Sequence, residues 1–234
     1  MDRSRTRTEH DRFGELELPA QALWGIHAER ARLNFPPSWR RLPRPLIAGM
    51  GYVKQACAAA NHELGHLGDA VHEALTTSCD ELVAGVLDEH LVVDPLAGGA
   101  GTSFNMNVNE VLANRANVHL GGAPGDYEPV HPLDTVNMHQ STNDTFSTAV
   151  RVAALTELVE LEQELVGLQD ALQDLEKRHA DEIAVGRTQL QDAVPLTLGQ
   201  VFGAWAEAVA RDRWRVFKSM ERLRAANLGG TAIG

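Results

Sequence analysis

Apolar residues recur at Ala154, Leu158, Leu161, Leu165, Leu168, Leu172 and Leu175. Their alternating steps of four and three make a heptad stripe, a pattern that only an α-helix places on one side. A second stripe follows Pro195, through Leu198, Phe202, Trp205 and Val209, and resumes at Val216, Met220 and Leu223 after a break near Asp212. Two helices of about 30 residues each would be about 45 Å long. The segment between them, AVGRTQLQDAVP, is short, so they should lie antiparallel. Charged residues flank both stripes, as on solvated helix faces. A lone pair of helices cannot bury two such stripes, so the pattern demands more chain or more subunits. Trp205 and Trp214 read as packing residues of these helices rather than a stacking platform.

Upstream, the first 45 residues are punctuated by Pro19, Pro36, Pro37, Pro43 and Pro45. They read as a tail and short turns, with a small hairpin around Phe13 to Pro19. From Leu46 two helical patterns follow, LIAGMGYVKQACAAANHEL and DAVHEALTTSCDELVAGVL, separated by Gly65 and Gly68. The break PLAGGAGTS precedes a third helix, roughly Phe104 to His119, and LGGAPGDYEPVHPLD closes this region. The expected fold is therefore mostly all-α. Residues 1–140 form an irregular start plus a helical first domain, and residues 141–234 begin a long-helix bundle. An aromatic content of 5% fits helices better than a β-sandwich.

Charge narrows the classes of function. Asp plus Glu number 32 against 21 Lys plus Arg, a net charge of −11, which opposes sequence-independent nucleic-acid binding. The basic RSRTR near the start reads as a solvated tail. No apolar run approaches the roughly 18 residues of a membrane span, and MDRSRTRTEHDR holds no apolar secretory core. Cys57 and Cys79 are too few for a disulfide framework and fall on apolar helix faces as core thiols. A cytoplasmic protein with neither nucleic-acid nor membrane partners is expected.

Hydroxyl- and amide-rich clusters stand before three helices. They are Gly98-Gly99-Ala100-Gly101-Thr102-Ser103, Gln140-Ser141-Thr142-Asn143-Asp144 and Gly186-Arg187-Thr188-Gln189. A helix start offers backbone N–H groups and the positive end of its dipole to an anion. Ser, Thr and Asn side chains extend that cradle, and glycine lets the backbone come close. Each cluster alone is also what an ordinary N-cap or tight turn requires. Three cradles together suit a small dicarboxylate held without a metal.

The order and wording of these strings resemble the aspartase/fumarase superfamily, and within it the aspartate ammonia-lyases. The resemblance starts at RTEHDRFGELELPAQALWGIHAERARLNF and runs through GGAGTSFNMNVNEVLANRA, HPLDTVNMHQSTNDTFSTAV, GRTQLQDAVPLTLGQ and NLGGTAIG. It implies a mostly helical first domain followed by a long-helix bundle, assembled as a homotetramer. The implied reaction is anti elimination of ammonia from L-aspartate to give fumarate, with no cofactor. The substrate-carboxylate ligands it implies are Thr102, Ser141, Thr142, Asn143, Thr188 and Gln189, with His27, Arg30 and Ser103 near the site. GGAGTS and the glutamine at 189, where fumarases have histidine, favour aspartase over fumarate hydratase.

Departures from the family pattern also matter. His131-Pro132-Leu133-Asp134 replaces an HPND string linked to a second carboxylate site, and leucine cannot donate a hydrogen bond. Ser147 replaces a proline. The family's GSSxMPxKxNP signature, which carries the serine base, does not occur. This is therefore expected to be the N-terminal half of a lyase, inactive alone unless a complementary C-terminal chain joins it. The alternatives are a fumarate hydratase, a non-catalytic helical assembly subunit and a zinc hydrolase. The last rests on His62-Glu63-Leu64-Gly65-His66, an HExxH string followed by His72. Gly65 and Gly68 weaken the helix that would hold those ligands, and the metzincin glycine would fall at Asp69. No metal site is expected.

Overall fold

A computed structural model describes residues 6–35 and 37–231. Residues 3–5 of the basic tail, Pro36, and the terminal Ala232, Ile233 and Gly234 lie outside the described residues. Contacts divide the chain into a first unit, up to Ala153 together with the segment from Ala226, and a second unit, Ala154–Ala225.

The first unit opens with an antiparallel hairpin, β1 (Thr6–Asp11) against β2 (Gly14–Pro19), pairing Thr6 with Pro19 and Asp11 with Gly14. Gly14 turns the chain at φ +112°, a left-handed conformation that favours glycine. Four helices follow: α1 (Ile26–Asn34), α2 (Arg44–Glu63), α3 (Asp69–Val83) and α4 (Thr102–His119). The core between them is built from Met50, Val53, Leu75, Cys79, Leu82, Val108, Val111 and Leu112. Gly51 lets α2 approach α3, since a Cβ there would lie 2.7 Å from the Val83 side chain. Helix α5 (Thr142–Arg178) starts in this unit. Gly49 on α2 faces its backbone, where a Cβ would meet the Ala149 carbonyl at 2.6 Å.

Helix α4 begins two residues before its expected start. Gly101, at φ +87°, makes the reversal that admits Thr102 as the first helical residue. Cys79 is buried and Cys57 half-buried, and burial raises both thiols, Cys79 to about 12.

In the second unit the remainder of α5 pairs antiparallel with α6 (Leu198–Leu223). Gly199 and Gly203 permit the approach, because Cβ atoms there would meet the Glu176 carbonyl at 2.7 Å and its carboxylate at 2.6 Å. Arg213 binds Glu162 at 2.7 Å further along the pair. The connection read as a plain loop is a second hairpin, β3 (Ile183–Thr188) with β4 (Gln191–Thr197), bulged between Val185 and Arg187. Thr197 then caps α6 in a reciprocal box with Gln200. None of the seven heptad residues is buried in this chain. Trp205 and Trp214 remain 55% and 62% exposed, with the Trp205 ring edge-on to Phe202 at 5.7 Å. Among the described residues no helix is long and apolar enough to cross a membrane.

Candidate functional site

Two of the three cradles lie in the first unit, and buried amides join them. At GGAGTS, Gly99, Ala100 and Gly101 all take positive φ, and the Thr102 N–H donates to the Gly99 carbonyl at 3.0 Å. This coil delivers an exposed Thr102 and a half-buried Ser103 at the start of α4. At QSTND, the Ser141 hydroxyl accepts the Asn143 N–H at 3.2 Å, and the buried Asp144 carboxylate accepts the Ser141 N–H at 3.0 Å. Ser141 is thus the N-cap of α5, with its hydroxyl proton still available to a ligand. Asp144 also accepts the Gly229 N–H at 3.2 Å, and Thr148 accepts the Asn227 N–H at 3.0 Å. The NLGG segment is thereby docked on the first turns of α5.

Asn105, one turn beyond Thr102, donates to the Thr142 hydroxyl at 3.1 Å and to Asn137 Oδ1 at 3.2 Å. It links the two cradles. Gly101 allows this proximity, because its Cβ would fall 2.5 Å from the Phe146 ring of α5. The Lys54 ammonium, 2% exposed, donates to Asn137 Oδ1 at 3.0 Å and Gln140 Oε1 at 2.9 Å. Burial depresses its pKa to about 7, against opposing pull from Cys57, Cys79 and Asp144. Sequence reading missed Lys54, Asn105 and Asn137, and placed Gln140 in the second cluster without its inward role. The available signal was a lysine inside the apolar α2 pattern and the string NMNVNE, whose asparagines an amphipathic surface helix would not bury.

Glu110, also missed, supports the start of α1. Its carboxylate accepts backbone N–H groups from Gly25 and His27 at 2.9 Å and from Ala28 at 3.1 Å, while Glu9 accepts Ile26 at 2.8 Å. Burial outweighs these donors and lifts the Glu110 pKa to about 7. His27 itself is exposed and lines a cavity of about 230 Å³ with Glu110, Tyr127 and His131. Arg30 is engaged by Asp11 through two 2.7 Å bonds, which fix α1 to the first hairpin. His131 Nδ1 accepts the N–H groups of Leu133 at 3.3 Å and Asp134 at 3.2 Å, capping the turn Pro132–Val136.

Thr188 and Gln189 belong to the second unit. Thr188 ends β3, Gln189 and Leu190 form the turn at φ +51° and +63°, and all three are exposed. The histidines of the HExxH string do not converge. His62 bonds Asp69 at 2.9 Å and stacks on His72 at 4.3 Å, whereas His66 sits edge-on to His139 at 4.9 Å. Among the described residues no three His, Cys, Asp or Glu side chains are grouped to hold a metal ion.

Residues 14–234 match a protein family described as lyase. The chain is 46% identical over 232 residues to an aspartate ammonia-lyase of Pseudomonas canavaninivorans, covering 97% of this chain and 49% of that protein. It is 41% identical over 229 residues to a class II fumarate hydratase of Staphylococcus aureus (strain COL), covering 97% and 50%. Among solved structures it resembles a fumarate lyase:delta crystallin from Brucella melitensis bound to cobalt. There the TM-score is 0.94 at 46% identity, over 98% of this chain and 50% of that one. The chain spans about half the length of the curated relatives it matches.

Proposed function

The chain belongs to the aspartase/fumarase superfamily of lyases, and from that premise we propose that its loops at 98–103, 140–144 and 186–189 each contribute carboxylate-binding groups to the sites of an assembled enzyme that eliminates ammonia from L-aspartate. The carrying observation is the 3.1 Å bond from Asn105, one turn beyond Thr102 on α4, to the Thr142 hydroxyl at the start of α5. Two helix N-termini and their hydroxyls then face one anion.

In the reaction, a base takes a proton from the carbon next to the β-carboxylate, the carbon–nitrogen bond breaks, and fumarate and ammonia leave. Negative charge accumulates on the β-carboxylate during proton removal. Donors from Thr102, Ser141, Thr142, Asn143 and Thr188 would meet this charge in the assembled sites, and donors positioned before charge develops lower a barrier most. Gln189 is a neutral neighbour that hydrogen-bonds without carrying a proton away. The base is assigned to the GSSxMPxKxNP part of the family fold, which these residues do not include. The unburied heptad stripes are assigned to helices of further copies, as in a homotetramer, or of a complementary chain.

Hydration chemistry is the second reading, favoured by the fumarate hydratase among the relatives. The test joins this chain to a chain supplying the GSSxMPxKxNP region and follows fumarate formation from L-aspartate and from L-malate. Aspartate turnover supports the proposal, malate turnover alone selects the hydratase reading, and neither from a correctly assembled protein overturns both. In the active assembly, Thr102→Ala and Thr188→Ala should each lower kcat/KM about 100-fold with assembly intact. Unchanged kinetics in both variants would remove these residues from the cradle.

A further inference from the structure

We propose that Lys54 is the positioning residue of the QSTN loop, and that its buried ammonium is the fixed cation behind the dicarboxylate cradle. The inference rests on the reading of Ser141, Thr142 and Asn143 as carboxylate ligands.

Lys54 lies on α2, 83 and 86 positions before the two residues its ammonium binds. Both are side-chain amide oxygens, and both belong to the stretch that leads into α5. Gln140, held at 2.9 Å, immediately precedes Ser141 and is turned inward, its amide donating to the Val136 and Met138 carbonyls at 2.9 and 3.2 Å. Asn137 receives Lys54, Asn105 and Asn109 on one oxygen, at 3.0, 3.2 and 3.3 Å, and returns its own amide to the Gln140 carbonyl at 3.2 Å. Asn105 carries the connection onward to the Thr142 hydroxyl. Lys54 brings a full positive charge into this knot of neutral amides, and a buried cation favours an anion nearby.

The charged and titratable groups around Lys54 are few. Cys57 comes from its own helix, Cys79 from α3 and Asp144 from α5, while the 137–140 turn gives Lys54 the Asn137 and Gln140 amides and also carries His139, whose ring bonds Asn61 of α2 at 3.0 Å rather than Lys54. Asp144 is already engaged by two backbone N–H groups. Burial depresses the ammonium's pKa to about 7 against the pull of those three groups, so further negative charge nearby would favour its protonated form. A dianion in the cradle would supply that charge and hold the proton on Lys54, so binding and protonation should be linked.

The experiment uses this chain. Amide hydrogen exchange of residues 141–145, corrected for intrinsic rates, is followed from about pH 6 to about pH 9 beside the Lys54 ammonium signal by NMR. Loop protection should fall several-fold along the Lys54 titration curve. In Lys54→Met it should be at least ten-fold lower than in wild type and flat with pH, with amides of Val111 to Ala113 in α4 changing less. A flat wild-type profile overturns the role, as does a variant whose loop and α4 amides loosen equally. The wild-type profile decides the matter even if the variant does not fold. Succinate, an unreactive dicarboxylate, is then titrated at both ends of the range and should bind about ten-fold tighter at low pH. A tracking loop without a succinate response supports Lys54 and overturns the dicarboxylate reading. Succinate binding with a flat loop profile overturns Lys54 and leaves that reading standing.

Discussion

Glu110→Gln lowers the unfolding free energy by about 3 kcal/mol at acidic pH, the largest stability loss expected from a change of one atom here. Three backbone N–H groups point at the two carboxylate oxygens, two of them, from Gly25 and Ala28, at Oε2. Whichever way the glutamine amide turns, its NH2 faces at least one donor with a donor in a buried site. The orphaned N–H groups then carry the desolvation cost of an unmade hydrogen bond.

The loss should also depend on pH. The folded-state pKa of Glu110 is raised from 4.5 to about 7, so the folded state holds the proton more tightly across that interval. Its contribution to stability is greatest below the unfolded pKa and declines as pH rises through the folded one. Glutamine does not titrate. The difference between wild type and variant should therefore shrink by about 2–3 kcal/mol between about pH 5 and about pH 8. Urea unfolding of both proteins across that range measures it, and a constant difference would show that Glu110 is not a buried titrating group.

Gly101→Val is expected to lower the unfolding free energy by about 3 kcal/mol or more. Two penalties combine. A β-branched residue at φ +87° is strained on its own backbone, and the new Cβ meets the Phe146 ring at 2.5 Å. The two can be separated. Gly101→Ala combined with Phe146→Ala removes the clash and keeps the strain, so the pair should couple favourably by about 1 kcal/mol or more in a double-mutant cycle. Hydrogen exchange should show the loosening confined to the first turn of α4 and the start of α5. Strict additivity would mean that Phe146 does not press on the glycine coil.

The difference between these sites and the helices bears on what a sequence can disclose. Heptad spacing identified the long helices because a helix repeats its face every few residues, and that period survives in the chain as written. The polar clusters could be found for a related reason: a helix start is satisfied by its own nearest residues, as Ser141 and Asp144 satisfy each other. The hairpin at Ile183–Thr197 was hidden because Gly186, Arg187 and Gln191 read as loop residues, and strand pairing depends on a partner rather than on either segment. Trp205 and Trp214 read as packing residues because apolar residues at helical spacing imply a buried stripe, yet within this chain both stay more than half exposed.

By itself, then, the sequence determined the family, the mostly helical class, the heptad stripes and the polar clusters at the starts of α4 and α5. Each of these is carried by residues close together along the chain. Tertiary structure alone decided what stands behind those loops: Lys54 beneath Asn137 and Gln140, Asn105 between the two cradles, and Glu110 under α1, 82 to 85 positions from the N–H groups it receives. The lysine in the α2 pattern and the string NMNVNE mark these residues as unusual, but no local pattern says which distant groups they meet. A lysine or glutamate in the sequence looks solvated until the packing of distant helices removes its water, and only then must every buried proton and lone pair find a specific counterpart.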